Sequence, residues 1–185
     1  MKNKGQHKVL FVGPVGAGKT TAVSVLSDKE IVNTDVKVSD MTRFRKPQTT
    51  VALDYGVVTL KDDLRVHLYG APGQQRFDFM WEILQQGLTG LAILVDHSRR
   101  TPLDDLAFFL DWYQALPQQT RLAVGVNFHG DGAPAAFSGY RAMLQQRGLD
   151  SPVLPIDARN RDDMRRLIHA LVFEPDLHSK WPPTA

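Results

Sequence analysis

The stretch whose residue types and spacing dictate chemistry is Gly13-Pro-Val-Gly-Ala-Gly-Lys-Thr20. It fits G-x-x-x-x-G-K-[ST], the pattern of a phosphate-binding P-loop. Glycines let such a loop turn its N–H groups inward around a triphosphate, and the N-terminus of the following helix adds the positive end of its dipole. The expected phosphate-binding set is Gly13, Val15, Gly16, Ala17, Gly18, Lys19, Thr20 and Thr21. Within it, Lys19 is placed to reach the β and γ phosphates, and Thr20 Oγ to bind Mg²⁺. Val9-Leu-Phe-Val12 ahead of the loop reads as a buried parallel strand, and Thr21 to Leu26 behind it starts a helix. Strand, loop and helix therefore occur in the order that the chemistry requires.

A chain of 185 residues buries one substantial core, so one domain is expected over 8–175, with a flexible lead at 1–7 and a Pro-rich tail at 176–185. The balance of 22 basic and 20 acidic residues gives a charge of +2, which argues against a nucleic-acid partner. Absence of cysteine excludes disulfides, thiolate metal sites and a prenyl or palmitoyl anchor, and Lys2 excludes N-myristoylation. No apolar run approaches membrane-spanning length and the N-terminus lacks a signal-peptide core, so the expectation is a cytoplasmic protein with no lipid anchor.

Six strands are predicted around the P-loop. Val9–Val12 is the first; Val51–Leu60 and Leu64–Tyr69 form a hairpin turning at Lys61-Asp-Asp63; Leu91–Val95 and Leu122–Val126 are continuous apolar runs; Val153–Ile156 is pushed to a sheet edge by Pro155. Residues 29–48 are polar and aperiodic and read as a long functional loop carrying Arg43, Arg45 and Lys46. Helical stripes run through Leu103, Leu106, Leu110 and Tyr113, through Phe137, Tyr140 and Leu144, and through Met164, Leu167, Ile168 and Leu171. Alternating strands and helices imply an α/β fold, a mostly parallel sheet with helices on both faces, and ligands outside the carboxyl ends of the strands.

Two further stretches converge on the loop. Lys46-Pro-Gln-Thr-Thr50 enters a strand, and Tyr69-Gly-Ala-Pro-Gly-Gln74 leaves one. With these residues the chain resembles the Ras-like small GTPases, in particular the Arf branch and the bacterial small GTPases of the gliding-motility and conservon type. Thr-Thr-Val-Ala-Leu-Asp-Tyr-Gly at 49–56 and Tyr-Gly-Ala-Pro-Gly-Gln at 69–74 look like the bacterial group, while Gly73-Gln74, Trp81, Gly90-Leu91 and Val95-Asp96 recur at Arf-like offsets. The resemblance implies a Ras-like six-stranded sheet that binds GTP or GDP with Mg²⁺. It also implies Thr50 as a first-switch metal ligand, Gly73 as the second-switch glycine and Gln74 as the residue that orients the attacking water.

Two positions depart from that pattern. The aspartate that the resemblance places at the second switch is Gly70 here, which weakens the expected metal site. The guanine motif reads Asn127-Phe-His-Gly-Asp131, with Phe128 for the lysine and Asp131 one residue late, while Asp157-Ala-Arg159 weakly matches the backbone contact to the base. The expected base-contact set is thus Asn127, Phe128, Asp131, Ala158 and Arg159. The resulting expectation is a slow GTPase acting as a bacterial switch, with Lys19, Thr50 and Gln74 in the chemistry, an effector or activator of roadblock type, and a partner patch near Phe77, Phe79 and Met80. The alternatives are a P-loop ATPase or small-molecule kinase, and a nucleotide-binding module that does not hydrolyse.

Overall fold

The structure, a computed structural model, describes residues 6–37, 50–72, 84–128, 130 and 137–173. Seven strands form one sheet, numbered here β1 (His7–Val12), β2 (Val32–Lys37), β3 (Thr50–Thr59), β4 (Arg65–Gly70), β5 (Gly90–Asp96), β6 (Arg121–Asn127) and β7 (Val153–Pro155). Their order across the sheet is β2-β3-β4-β1-β5-β6-β7. Pairing is parallel from β4 to β7 and antiparallel where β3 meets β2 and β4. All six strands expected from the sequence are present, and this is an α/β fold of the P-loop NTPase type.

The apolar runs explain the layering. Alternate residues of the central strands point to opposite faces, and both faces are covered. On one face Val9, Phe11, Leu68 and Leu94 pack against α1 (Lys19–Leu26) and α4 (Arg161–Val172). On the other, Leu10, Val12, Ile93 and Val95 pack with Leu106 and Leu110 of α2 (Pro102–Tyr113) and Tyr140 and Leu144 of α3 (Ser138–Gln146). Each fully buried Leu or Ile on these faces contributes about 1.5–3 kcal/mol. Local signals set the helix starts. Pro102 opens α2 with Asp104 and Asp105 in its first turn, and Asn160 caps α4 by accepting from the N–H groups of Asp162 and Asp163 at 2.9 and 3.3 Å.

The sequence expectation of a loop over 29–48 is corrected at Val32–Lys37, which pairs antiparallel with Thr50–Tyr55 of β3. An edge strand draws its hydrogen bonds from its neighbour and needs no apolar face of its own, so Val-Asn-Thr-Asp-Val-Lys carries little periodic signal. β1 begins at His7, the last residue of the expected lead, and Lys8 follows within it; the Lys8 Nζ donates to Gln86 O at 2.9 Å and sits 5.1 Å from the centre of the Tyr69 ring. The hairpin turn falls at Lys61–Asp63 as expected, with Asp62 and Asp63 in left-handed conformation at φ 60° and 56°. Among the described residues, no helix is long and apolar enough to cross a membrane.

Candidate nucleotide-binding site

β1 ends at Val12 and the chain turns at once into the glycine loop. Gly13 has φ 145°, and a Cβ there would stand 2.2 Å from the Leu94 carbonyl oxygen, so no L side chain fits. Gly18, at φ 100°, is also closely approached: a Cβ would meet Ala158 Cβ and Asn127 Nδ2 at 2.8 Å each. The loop is thereby held between the β5 backbone and the segments that follow β6 and β7. α1 starts at Lys19 without a side-chain cap on its first amides, the arrangement that a phosphate exploits.

Lys19 is buried, and its Nζ donates to the carbonyl oxygens of Gly13 and Pro14 at 2.9 and 2.7 Å. Burial pulls its pKa down to about 8, against an opposing pull from the Asp54 charge. The ammonium is therefore poorly compensated, and an added anionic phosphate would meet an unsatisfied positive charge.

Thr20 Oγ1 donates to Asp54 Oδ2 at 2.5 Å. Asp54 comes from β3, where it pairs with Gly70 of β4. Leu53 and Tyr55 turn to the α2–α3 face, whereas Asp54, Gly56 and Val58 line the α1 face. Gly70, the position at which the sequence expectation was a weakened metal site, lies tightly against this acid: a Cβ there would stand 3.0 Å from Asp54 Oδ2. Two hard oxygen donors in contact suit a hard divalent cation.

Asn127 ends β6, is buried and is fully engaged. Its Nδ2 donates to Ala17 O at 3.1 Å, and its Oδ1 accepts from the N–H of Phe128 at 3.0 Å and, more weakly, from that of Ala158 at 3.5 Å. One amide thus ties the P-loop to both loops expected to carry the base. Phe128 follows in left-handed conformation at φ 55° with its ring 52% exposed. For a bulky residue that is stored backbone strain. Arg159 is well exposed and held in place by Asp157, donating from Nε and Nη2 at 2.9 and 2.8 Å, a contact that raises its pKa.

The structure therefore gathers Gly13, Gly16, Ala17, Gly18, Lys19, Thr20, Asn127, Phe128, Ala158 and Arg159 around the carboxyl ends of β1, β6 and β7. Val15 stands exposed at the loop tip and Thr21 lies on the exposed side of α1. Thr50 opens β3 opposite Lys37. Gly73, Gln74, the aromatic run at Phe77, Phe79, Met80 and Trp81, Arg43, Arg45, Lys46 and Asp131 lie outside the described residues. Asp54 is the residue that sequence reasoning passed over. Its signal was an acid in the strand row that also holds Gly56 and Val58, beside a strand ending in glycine.

A family model described as "Conserved hypothetical ATP binding protein" matches residues 29–125, just over half of the chain. The chain belongs to this ATP-binding family. The matched span begins after α1 and runs into β6, so the P-loop at 13–20 and the family match are separate observations that agree on nucleotide binding. An uncharacterized protein of Methanocaldococcus jannaschii is 32% identical over 102 residues, covering 55% of this chain and 58% of the relative. The chain thus aligns with less than two thirds of that relative's length.

Membership in this ATP-binding family corrects the resemblance to Ras-like GTPases of the conservon type: the chain belongs to a different P-loop family. The physical reason is visible in the residues. The P-loop and the sheet around it are common property of P-loop proteins, whereas two positions that the Ras-like pattern assigns to the metal and the base, Gly70 and the Asn127–Asp131 stretch, depart from it. A GTP-dependent bacterial switch and a roadblock-type partner rested on that resemblance and lose their basis with it.

Proposed function

We propose that this protein binds ATP in the P-loop and hydrolyses it slowly to ADP and phosphate. The observation that carries the reading is the buried Lys19, folded onto its own loop carbonyls at the mouth of α1 in a chain whose family is ATP-binding. Water would attack the γ-phosphorus in line, the bond to the β–γ bridging oxygen would break, and the electron pair would leave on ADP. Lys19 would swing from Gly13 O and Pro14 O to the phosphates and neutralise charge that grows in the transition state. Thr20 carries the hydroxyl that would meet Mg²⁺, which when bound with the nucleotide would balance charge on the phosphate oxygens. Phe128 offers an exposed ring face on which a purine stacks, and Asn127 holds that ring in register with the P-loop.

Calorimetric titration with ADP and GDP, followed by phosphate release from ATP and GTP, tests this reading. The expected result is ADP binding in the micromolar range or tighter and ATP turnover that Lys19→Ala abolishes. Binding of neither diphosphate would defeat the nucleotide site. Turnover of GTP without ATP would defeat the choice of base, and tight binding without turnover would defeat hydrolysis.

A further inference from the structure

We propose that Asp54, carried on the antiparallel strand β3, supplies the carboxylate of a divalent-cation site that it forms with Thr20. The inference rests on the nucleotide-binding reading above and goes beyond it by assigning a residue and a metal position. Three observations carry it. Thr20, the hydroxyl that follows the P-loop lysine, already touches a carboxylate at 2.5 Å. That carboxylate stands half-buried on the row of β3 that otherwise presents Gly56 and Val58 to α1, so it faces the start of the helix that follows the P-loop. Across the ladder Gly70 has no side chain, and the space a Cβ would need is occupied by Asp54 atoms at 3.0 and 3.1 Å.

The two strands thus share one volume and one acid between them. Asp54 and Gly70 are register partners, so the acid on β3 stands at the carboxyl end of β4, beside Thr20. Among the described residues no group of three or more His, Cys, Asp or Glu could cage a metal unaided. A single carboxylate and a hydroxyl are instead the protein share expected when the remaining ligands are phosphate oxygens and water, the habit of Mg²⁺.

The test uses the whole chain and a fluorescent ADP analogue, with affinity measured in Mg²⁺ and in EDTA, and Mn²⁺ binding to the ADP complex followed by electron paramagnetic resonance. Wild-type protein should bind the analogue more tightly with Mg²⁺. Asp54→Asn keeps the size of the side chain and an acceptor oxygen; it should lower Mn²⁺ affinity by about 10–100-fold while leaving affinity in EDTA close to wild type. The double variant Asp54→Gly with Gly70→Asp returns the acid to β4, and recovery of the Mg²⁺ effect there supports the site. Asp54→Asn protein that holds Mn²⁺ as tightly as wild type overturns the proposal. Equal loss of affinity in Mg²⁺ and EDTA overturns it as well, since it marks Asp54 as a tie on Thr20 alone. Wild-type protein that binds the analogue indifferently to Mg²⁺ refutes the metal site and leaves the nucleotide site standing; failure to bind the analogue at all refutes the reading beneath it.

Discussion

Asp54 and Gly70 face each other across the β3–β4 ladder so closely that a Cβ on Gly70 would stand 3.0 Å from the Asp54 carboxylate. The glycine is therefore the partner of the acid and not a deficit. Read along the chain, Gly70 looks like a lost metal ligand; read across the ladder, it faces an acid on the neighbouring strand.

Introducing Gly70→Asp into the otherwise unchanged protein should accordingly weaken it. The new side chain meets Asp54 both as bulk and as like charge, and overpacking of this kind costs about 1–3 kcal/mol. Urea unfolding should show a lower midpoint, with no gain in the Mg²⁺ dependence of nucleotide binding. A variant of full stability with a stronger Mg²⁺ response would show that the two positions do not compete.

Lys19 makes stability depend on pH in a direction opposite to that of a salt-bridged lysine. Burial lowers its pKa from 10.5 to about 8, so between these values the unfolded chain holds a proton that the folded protein has lost. Stability from this group therefore rises as pH increases from about 8 to 10.5 and is lost as pH falls through about 8, by on the order of 3 kcal/mol across the window. Denaturation curves of wild type and Lys19→Met compared over that range should diverge upward for wild type, and parallel curves would contradict it. Phosphate beside Lys19 should restore its proton. Calorimetry near pH 8.5 in buffers of different ionisation enthalpy should therefore show proton uptake on ADP binding.

Asn127 joins Ala17, Phe128 and Ala158, and its removal should loosen the site from behind. Asn127→Ala leaves the Ala17 carbonyl and the Phe128 amide without their buried partner, a loss of about 1–3 kcal/mol. Thermal unfolding should report that loss, and ADP affinity should fall with it. Unaltered affinity in a destabilised variant would confine Asn127 to the scaffold.

Phe128 sets strain against binding. Glycine adopts φ 55° freely, so Phe128→Gly should stabilise the empty protein by about 1 kcal/mol. The same change removes the proposed stacking face, and affinity for ADP and GDP should fall by a similar factor, about tenfold, because every base has a face to stack. A loss confined to one base would show that the ring selects by edge contacts instead.

How much of this was readable in the sequence follows from the kind of interaction involved. The P-loop was legible because glycines, lysine and threonine are dictated residue by residue, and β5 and β6 were legible because strands covered on both faces must be apolar throughout. β2 was not, since Val32–Lys37 is held by β3 through backbone bonds that any residue makes. Asp54 was hidden for a related reason. Its meaning lies in register with Gly70 and in the approach of Thr20, both relations between distant positions. Asn127 was found for its place in a motif, whereas its observed contacts all go to backbone of the protein.

Helix α1 is fastened to β3 at both of its ends. At the start Thr20 meets Asp54; at the finish Ser27 Oγ bonds the Val57 backbone, the Asp28 amide donates to Val57 O at 2.9 Å, and the Thr59 amide donates to Asp28 Oδ2 at 2.7 Å. Between them Gly56 lets Ser27 and Val23 approach within 2.9 and 3.2 Å of where its Cβ would stand. Helix and strand are thereby coupled as one unit, and filling the loop ahead of α1 should slow hydrogen exchange of the Val57 and Thr59 amides at the helix's other end. Those two protons, bonded to Ser27 and Asp28 past the far end of α1, should thus serve as a gauge of whether the loop is filled.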